Sequence, residues 1–482
     1  MTKSTFVNAL KWSTASELGS KAVQPIIFLI LAGILTPEEY GVMAVAIMVI
    51  SFTQVFWEAG MGKALIQCQE NIEQAANAAF WINLGLGLIF ALVLFFSSDL
   101  IATHLFHDNR VSDVVKVMTL QIVLGSLASV QTALLQKEMK FNKLFWVRIA
   151  SAIIPGAFSI PLALYGMSYW AIVAGILVGQ AFQVVALWYS SSWRPTFNFN
   201  VPVAKEIMHF GFWVSLTGLL VWFYLWADSF VVGAFLGTHD LGLFRTANTF
   251  VLLLFDVLFA PLLPVLYSYF SSKSTAKIYY ASSTIIRVIA VIAIPLGFLL
   301  FTLAIPISDS FFGEKWAGIG FIIGLLGVMR GYSWLVGING EIYRAVGKPQ
   351  YETVVYAFSS VFFLAGYLVS IQIGFKEFIY TRLILGMLSL IPHFYLFKKV
   401  LKNSLRPILR TVILSSFAGL IPIGMNLIIP DIDNGILYII VVSVVSVVLM
   451  GMFIFFFEHK LVSTFLFELR KNSGSIKQFQ EE

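Results

Sequence analysis

Gln136-Lys137-Glu138-Met139-Lys140-Phe141-Asn142-Lys143 stands between two long apolar runs, 113–134 and 146–165. Its lysines cannot enter a bilayer core cheaply. Each flanking run can cross one, because a hydrocarbon layer about 30 Å thick takes roughly 20 helical residues. The alternation repeats along the chain. Basic gaps recur at Lys273/Lys277 and at Lys398/Lys399/Lys402/Arg406/Arg410. The gaps between them are short and often acidic, as at Pro37-Glu38-Glu39, His239-Asp240 and Pro430-Asp431-Ile432-Asp433. Basic residues gathered in every second gap mark the cytoplasmic side. The pattern predicts an all-α polytopic membrane protein with both termini cytoplasmic. Fourteen spans are expected, near 13–35, 41–57, 79–99, 113–134, 146–165, 168–189, 209–235, 242–269, 284–304, 317–340, 352–373, 377–397, 410–429 and 435–457.

Composition agrees. Of 482 residues, 59% are hydrophobic and 12% charged, and fourteen spans with short loops leave no stretch for a soluble domain. The net charge of +6 is spread over cytoplasmic loops, where it meets anionic lipid headgroups; no nucleic-acid partner is expected. One cysteine, Cys68, excludes an internal disulfide. The first fifteen residues lack an apolar core and a cleavage site, so the first span is expected to stay uncleaved. The segment from Glu458 reads as a short charged tail.

A faint internal repeat runs at an offset of 201. Trp12, Leu18, Leu35, Gly41 and Ala46 fall on Trp213, Leu219, Leu236, Gly242 and Ala247. The turn Glu39-Tyr40-Gly41 falls on Asp240-Leu241-Gly242, again between two spans. Six spans separate the copies, and an even number preserves orientation, so two parallel six-helix lobes are expected. Their bounds are 1–205 and 206–400, with two additional helices and a tail in 401–482. Gly175-x-x-x-Gly179, Gly320-x-x-x-Gly324 and Gly327-x-x-x-Gly331 permit close helix packing or are ordinary membrane glycines.

Charges at span depth are costly and face protein or a wet cavity. Ser13, Glu17, Ser20, Lys21 and Gln24 share one face of the first span, either as a cavity-lining stripe or as a snorkelling Glu17–Lys21 pair. Arg148, Arg245 and Arg330 lie on polar faces of the fifth, eighth and tenth spans, and Ser51, Gln54 and Glu58 end the second. Lys21, Arg148, Arg245 and Arg330 together suit an anionic phosphate or diphosphate, since guanidinium forks match phosphate oxygens. Glu17, Asp228 and Asp256 are candidates for proton or sodium coupling. The competing reading is static, with Asp228 or Asp256 pairing Arg245 to hold the seventh and eighth spans together. Spans eleven, thirteen and fourteen carry no charge at depth.

No G-x-x-x-x-G-K-[ST] phosphate loop is present, so no ATPase is expected within the chain, and no cofactor is expected. His104-x-x-His107-Asp108 is a weak metal motif. No large loop carries a carboxylate pair of the kind that membrane glycosyltransferases use, so an enzyme is not expected.

Several segments are similar to bacterial polysaccharide exporters: Lys11-Trp12-Ser13, Glu39-Tyr40-Gly41, Ala64-Leu65-Ile66-Gln67, Trp81-Ile82-Asn83-Leu84-Gly85-Leu86-Gly87, the lysine gap at 136–143, and Phe312-Gly313-Glu314-Lys315-Trp316. Together they resemble the Wzx-type flippases of the MOP superfamily, particularly the colanic-acid exporter branch, from the N-terminus to about residue 350. The resemblance implies two six-helix lobes that alternate between inward- and outward-facing states. It implies translocation of undecaprenyl-diphosphate-linked oligosaccharide across the bacterial inner membrane, often coupled to an ion gradient, with membrane lipids and polysaccharide polymerase machinery as partners. A multidrug or metabolite exporter of the same superfamily and a membrane glycan polymerase or ligase are the alternatives. The first would favour an acidic cavity, and the second lacks its outside loop.

Overall fold

The computed structural model describes residues 12, 19, 23–58, 60–68, 70–259, 266, 269–270, 275–348, 350–429 and 434–478. Among them there is no strand. Thirteen helices are long and apolar enough to cross a membrane, and a shorter apolar helix, α1 (Val23–Ile34), precedes them. Each falls on one expected span, so the all-α polytopic reading holds; the first half of span one, with Glu17 and Lys21, lies outside the described residues.

In order, the first helices are α2 (Pro37–Trp57), the short α3 (Met61–Gln67), α4 (Ile72–Leu100), α5 (Arg110–Lys137), α6 (Phe141–Leu164) and α7 (Trp170–Ser190). α8 (Val201–Leu236), α9 (Thr238–Phe259), α10 (Thr275–Ile307), α11 (Ile319–Gly337) and α12 (Asn339–Ala345) follow. The chain ends with α13 (Gln350–Ser370), α14 (Phe375–Leu388), α15 (Leu390–Leu401), α16 (Arg406–Ile428) and α17 (Gly435–Gln478). Fully apolar side chains on the outside, such as Phe96 (77% exposed) and Phe456 (75%), are tolerable only because lipid is the solvent there.

The chain forms two compact units. One comprises Met1–Thr246 with Tyr356–Phe378, the other Ala247–Val355 with Ile379–Glu482. In the first, α6 and α7 pack through Gly175 and Gly179. A Cβ at Gly175 would lie 2.6 Å from the Pro155 carbonyl oxygen, and one at Gly179 2.7 Å from the Pro155 ring. In the second unit Gly320, Gly324, Gly327 and Gly331 all face α10, with a Cβ at Gly331 2.6 Å from the Ala293 carbonyl oxygen. The three small-residue motifs are therefore sites of close helix approach.

One charge departs from the sequence reading. Glu458, expected to open a solvated tail, is 5% exposed at a kink of α17. Its carboxylate accepts from Arg287 Nη2 on α10 at 2.6 Å and from Thr411 Oγ1 on α16 at 2.8 Å. Arg287 Nε also donates to Thr411 Oγ1 at 2.9 Å. This triad ties the last two helices to α10 within the second unit, and a buried carboxylate is sustainable only with such partners.

Candidate functional site

The N-termini of α2 and α9 meet in the first unit. Thr36 caps α2, its Oγ1 accepting from Glu39 N at 3.4 Å while Glu39 Oε2 accepts from Thr36 N at 2.7 Å, and Pro37 occupies the first turn. The second copy of this turn starts α9 directly after α8, because Gly237 adopts a left-handed φ of 87°. A Cβ at Gly41 would fall 1.7 Å from the Thr238 carbonyl oxygen, and a Cβ at Gly242 1.8 Å from that of Pro37. The contact is reciprocal: the offset of 201 that relates the two glycines also relates Pro37 to Thr238. It relates Glu38 to His239 as well, and these pair at 2.6 Å. The faint repeat in the sequence is thus a local two-fold contact of backbone on backbone.

Beside it, Thr238 Oγ1 donates to Asp108 Oδ2 at 2.8 Å, and Arg110 Nη2 donates to the same oxygen at 2.7 Å. Burial pushes the Asp108 carboxyl up, but the Arg110 guanidinium, the Thr238 hydroxyl and the Arg110 backbone N–H outweigh it and hold it below the ordinary carboxylate value. With these bonds made, Asp108 is committed to the turn; among the described residues no group of three histidine, cysteine or acidic side chains could hold a metal.

A cavity of about 1200 Å³ lies between α3 and the first half of α8. α8 starts at Val201 rather than near 209, with Asn200 accepting from Val203 N at 3.3 Å as its cap. Its 36 residues would extend about 54 Å, well beyond a hydrocarbon core. Glu206, Phe210, Trp213, Thr217 and Val221 recur at helical spacing, so one polar-aromatic face looks into the cavity. α3 supplies Lys63 and Gln67, and Cys68 and Glu70 follow.

α3 is held from both ends. Gly60 turns into it at φ 65°, where a Cβ would also meet the Val214 side chain at 2.5 Å. At its C-terminus the Lys137 ammonium donates to the carbonyl oxygens of Leu65 at 3.2 Å, Ile66 at 3.0 Å and Cys68. Lys143 similarly donates to Ser190 O at the end of α7, at 2.7 Å. Two lysines of the basic gap therefore also cap helix C-termini.

A second cavity of about 310 Å³ shares Lys63, Val214 and Gly218 with the first. It is lined by Ser51, Gln54 and Glu58, the polar end of the second span, with Gln54 Nε2 donating to Glu58 Oε2 at 2.8 Å.

The residues singled out from sequence are distributed as follows. Arg148, half-buried on α6, and Arg245, packed over the Trp226 ring at 3.9 Å, belong to the first unit. Neither lines the α3–α8 cavity among the described residues. Asp228 is 2% exposed, and its Oδ1 accepts from Ser229 N at 2.5 Å and Ser229 Oγ at 3.0 Å. In the second unit Asp256 accepts from Arg330 Nη2 at 2.9 Å, joining α9 to α11. The ion pair of Asp256 thus links the eighth span to the tenth, not to the seventh. The cavity face of α8 is not singled out from sequence because the expected span begins at 209 and leaves out Glu206, its charged member. The helical period of Glu206, Phe210 and Trp213 was available to find it.

Residues 30–320 match the family described as Polysaccharide biosynthesis protein. The chain is 28% identical over 323 residues to the succinoglycan biosynthesis transport protein ExoT of Rhizobium meliloti (strain 1021). That match covers 66% of this chain and 65% of ExoT, just under two thirds of its length. It is 21% identical over 440 residues to the teichuronic acid biosynthesis protein TuaB of Bacillus subtilis (strain 168), covering 87% of this chain and 89% of TuaB. In fold it is similar to the lipid II flippase MurJ in an inward closed conformation, with a TM-score of 0.78 at 14% identity, over 94% of this chain and 100% of MurJ.

Proposed function

Because the chain belongs to the polysaccharide biosynthesis protein family, we propose that it carries undecaprenyl-diphosphate-linked oligosaccharide across the bacterial inner membrane by alternating access. The observation that carries this reading is the polar-aromatic cavity of about 1200 Å³ built into membrane-crossing helices. Ligand pockets for drug-sized molecules run to about 1,000 Å³, so this one has room for a sugar-bearing head group. In cells, deletion should trap lipid-linked oligosaccharide on the inner leaflet and stop surface polysaccharide. Normal surface polysaccharide in the deletion strain would refute the reading.

In this scheme two six-helix lobes, 1–205 and 206–400, related by an axis along the membrane normal, rock against each other, and both termini are cytoplasmic. The α2/α9 crossing is the outer seal, closed while the α3–α8 cavity is open to the cytoplasm. Cys68, the sole cysteine and a lining residue, reports on this directly. A membrane-impermeant maleimide should label it in inside-out vesicles and leave it unlabelled in right-side-out ones. The opposite sidedness would invert the topology.

We assign the diphosphate to the positive charge of Lys21, Arg148, Arg245 and Arg330. Wild-type flipping by all four single Ala variants would remove that assignment. Glu17, Asp228 and Asp256 are the candidates for ion coupling. The Arg330 partner favours a structural role for Asp256. Asp228→Asn keeps the shape and removes titration. It should abolish the dependence of transport on a pH or sodium gradient while leaving lipid binding intact; a retained gradient response with a lowered melting temperature would make Asp228 structural. Polysaccharide polymerase machinery is the partner that would consume the exported lipid.

A further inference from the structure

We propose that Trp213 is the platform on which the cavity recognises carbohydrate, so that the sugar and not the diphosphate occupies the space between α3 and α8. The proposal rests on the lipid-linked oligosaccharide reading above and names what that cavity binds. Two nearby tryptophans have their indole N–H committed to protein acceptors, whereas Trp213 makes only one aromatic contact among the described residues, edge-on with Phe212 at 5.7 Å. Trp222 donates from Nε1 to Ser51 Oγ at 3.0 Å and packs on Phe52 at 4.8 Å, and Trp81 Nε1 donates to Thr196 O at 2.9 Å. Trp213 is 57% exposed and lines the cavity.

Its surroundings match a sugar ring. Such a ring has an apolar C–H face and a rim of hydroxyls. The negative face of an indole attracts the weakly positive C–H groups. Glu206 and Thr217, two turns before and one turn after Trp213 on the same helix face, accept from or donate to hydroxyls, as do Gln67 and Glu70 from the α3 side. Charge disfavours the alternative occupant. Among the lining carboxylates and lysine, Lys63 contributes +1 and Glu70 and Glu206 contribute −2. A diphosphate here would face like charge, whereas a polyol would not.

The test is binding to purified full-length protein in nanodiscs, with two probes: bare undecaprenyl diphosphate and the lipid-linked oligosaccharide pool extracted from the source cells. Trp213→Ala should weaken binding of the pool several-fold, up to about tenfold, and leave the bare lipid unchanged. Trp213→Phe should retain most of the preference, and Glu206→Gln, which keeps shape, should reduce it. Equal losses for both probes, or no loss for the pool, would overturn the assignment while leaving the transport reading in place. Failure of the unaltered protein to bind either probe above a neutral phospholipid would overturn both.

Discussion

Gly41→Ala and Gly242→Ala should each cripple transport, and to a similar degree. The added methyl would sit 1.7 Å from the Thr238 carbonyl oxygen in the first variant and 1.8 Å from that of Pro37 in the second. Both obstacles are backbone at helix starts, which cannot rotate away as a side chain can. Overpacking of this kind costs about 1–3 kcal/mol, which displaces a two-state equilibrium roughly 5- to 150-fold. The displaced equilibrium is between the sealed and parted crossing, so Cys68 should also become protected from maleimide as the crossing opens and the cavity closes. The double variant should cost far less than the sum, because one parting relieves both clashes. Wild-type transport with wild-type Cys68 labelling in either single variant would mean that the crossing never closes during the cycle.

Glu458→Ala should lower stability without touching the cavity. Removing one member of a buried, hydrogen-bonded charge pair costs about 3–5 kcal/mol, since the remaining charge keeps its desolvation penalty and loses its compensation. Here Arg287 would be left facing Thr411 with no counter-charge. Glu458→Gln should fall between the two, because an amide still accepts from the guanidinium but carries no charge. The double replacement Arg287→Leu with Glu458→Leu should recover much of the loss, as apolar substitutes for buried pairs often do. Thermal unfolding in detergent checks all four proteins, and an unchanged melting temperature for Glu458→Ala would place this carboxylate in water.

The placement of the helices was legible because period, length and charge alternation all act on scales longer than one residue. Ends and partners were not. The start of α8 depends on a cap at Asn200 and on polar turns that hydropathy discards, so Glu206, the charged member of the cavity face, was lost with them. Glu458 follows the apolar run as a tail residue would, and only its three-dimensional neighbours Arg287 and Thr411 mark it as buried. The static reading leaves open whether Asp228 or Asp256 pairs with Arg245, and sequence spacing does not reveal that Asp256 bonds Arg330, 74 residues away. The turn repeat at offset 201 was the opposite case. A handful of identities spread over two short segments carried it, and Gly41 and Gly242 turned out to be the two residues at which backbone meets backbone.

Lipid flipping itself is the central claim, and an accessibility assay in reconstituted vesicles tests it most directly. Vesicles carrying the extracted lipid-linked oligosaccharide pool would be treated with a membrane-impermeant glycosidase, with and without the purified protein. The account predicts that the protein exposes nearly the whole pool, that empty vesicles expose only their outer leaflet, and that Gly41→Ala resembles empty vesicles. Equal accessibility with and without the unaltered protein would contradict it.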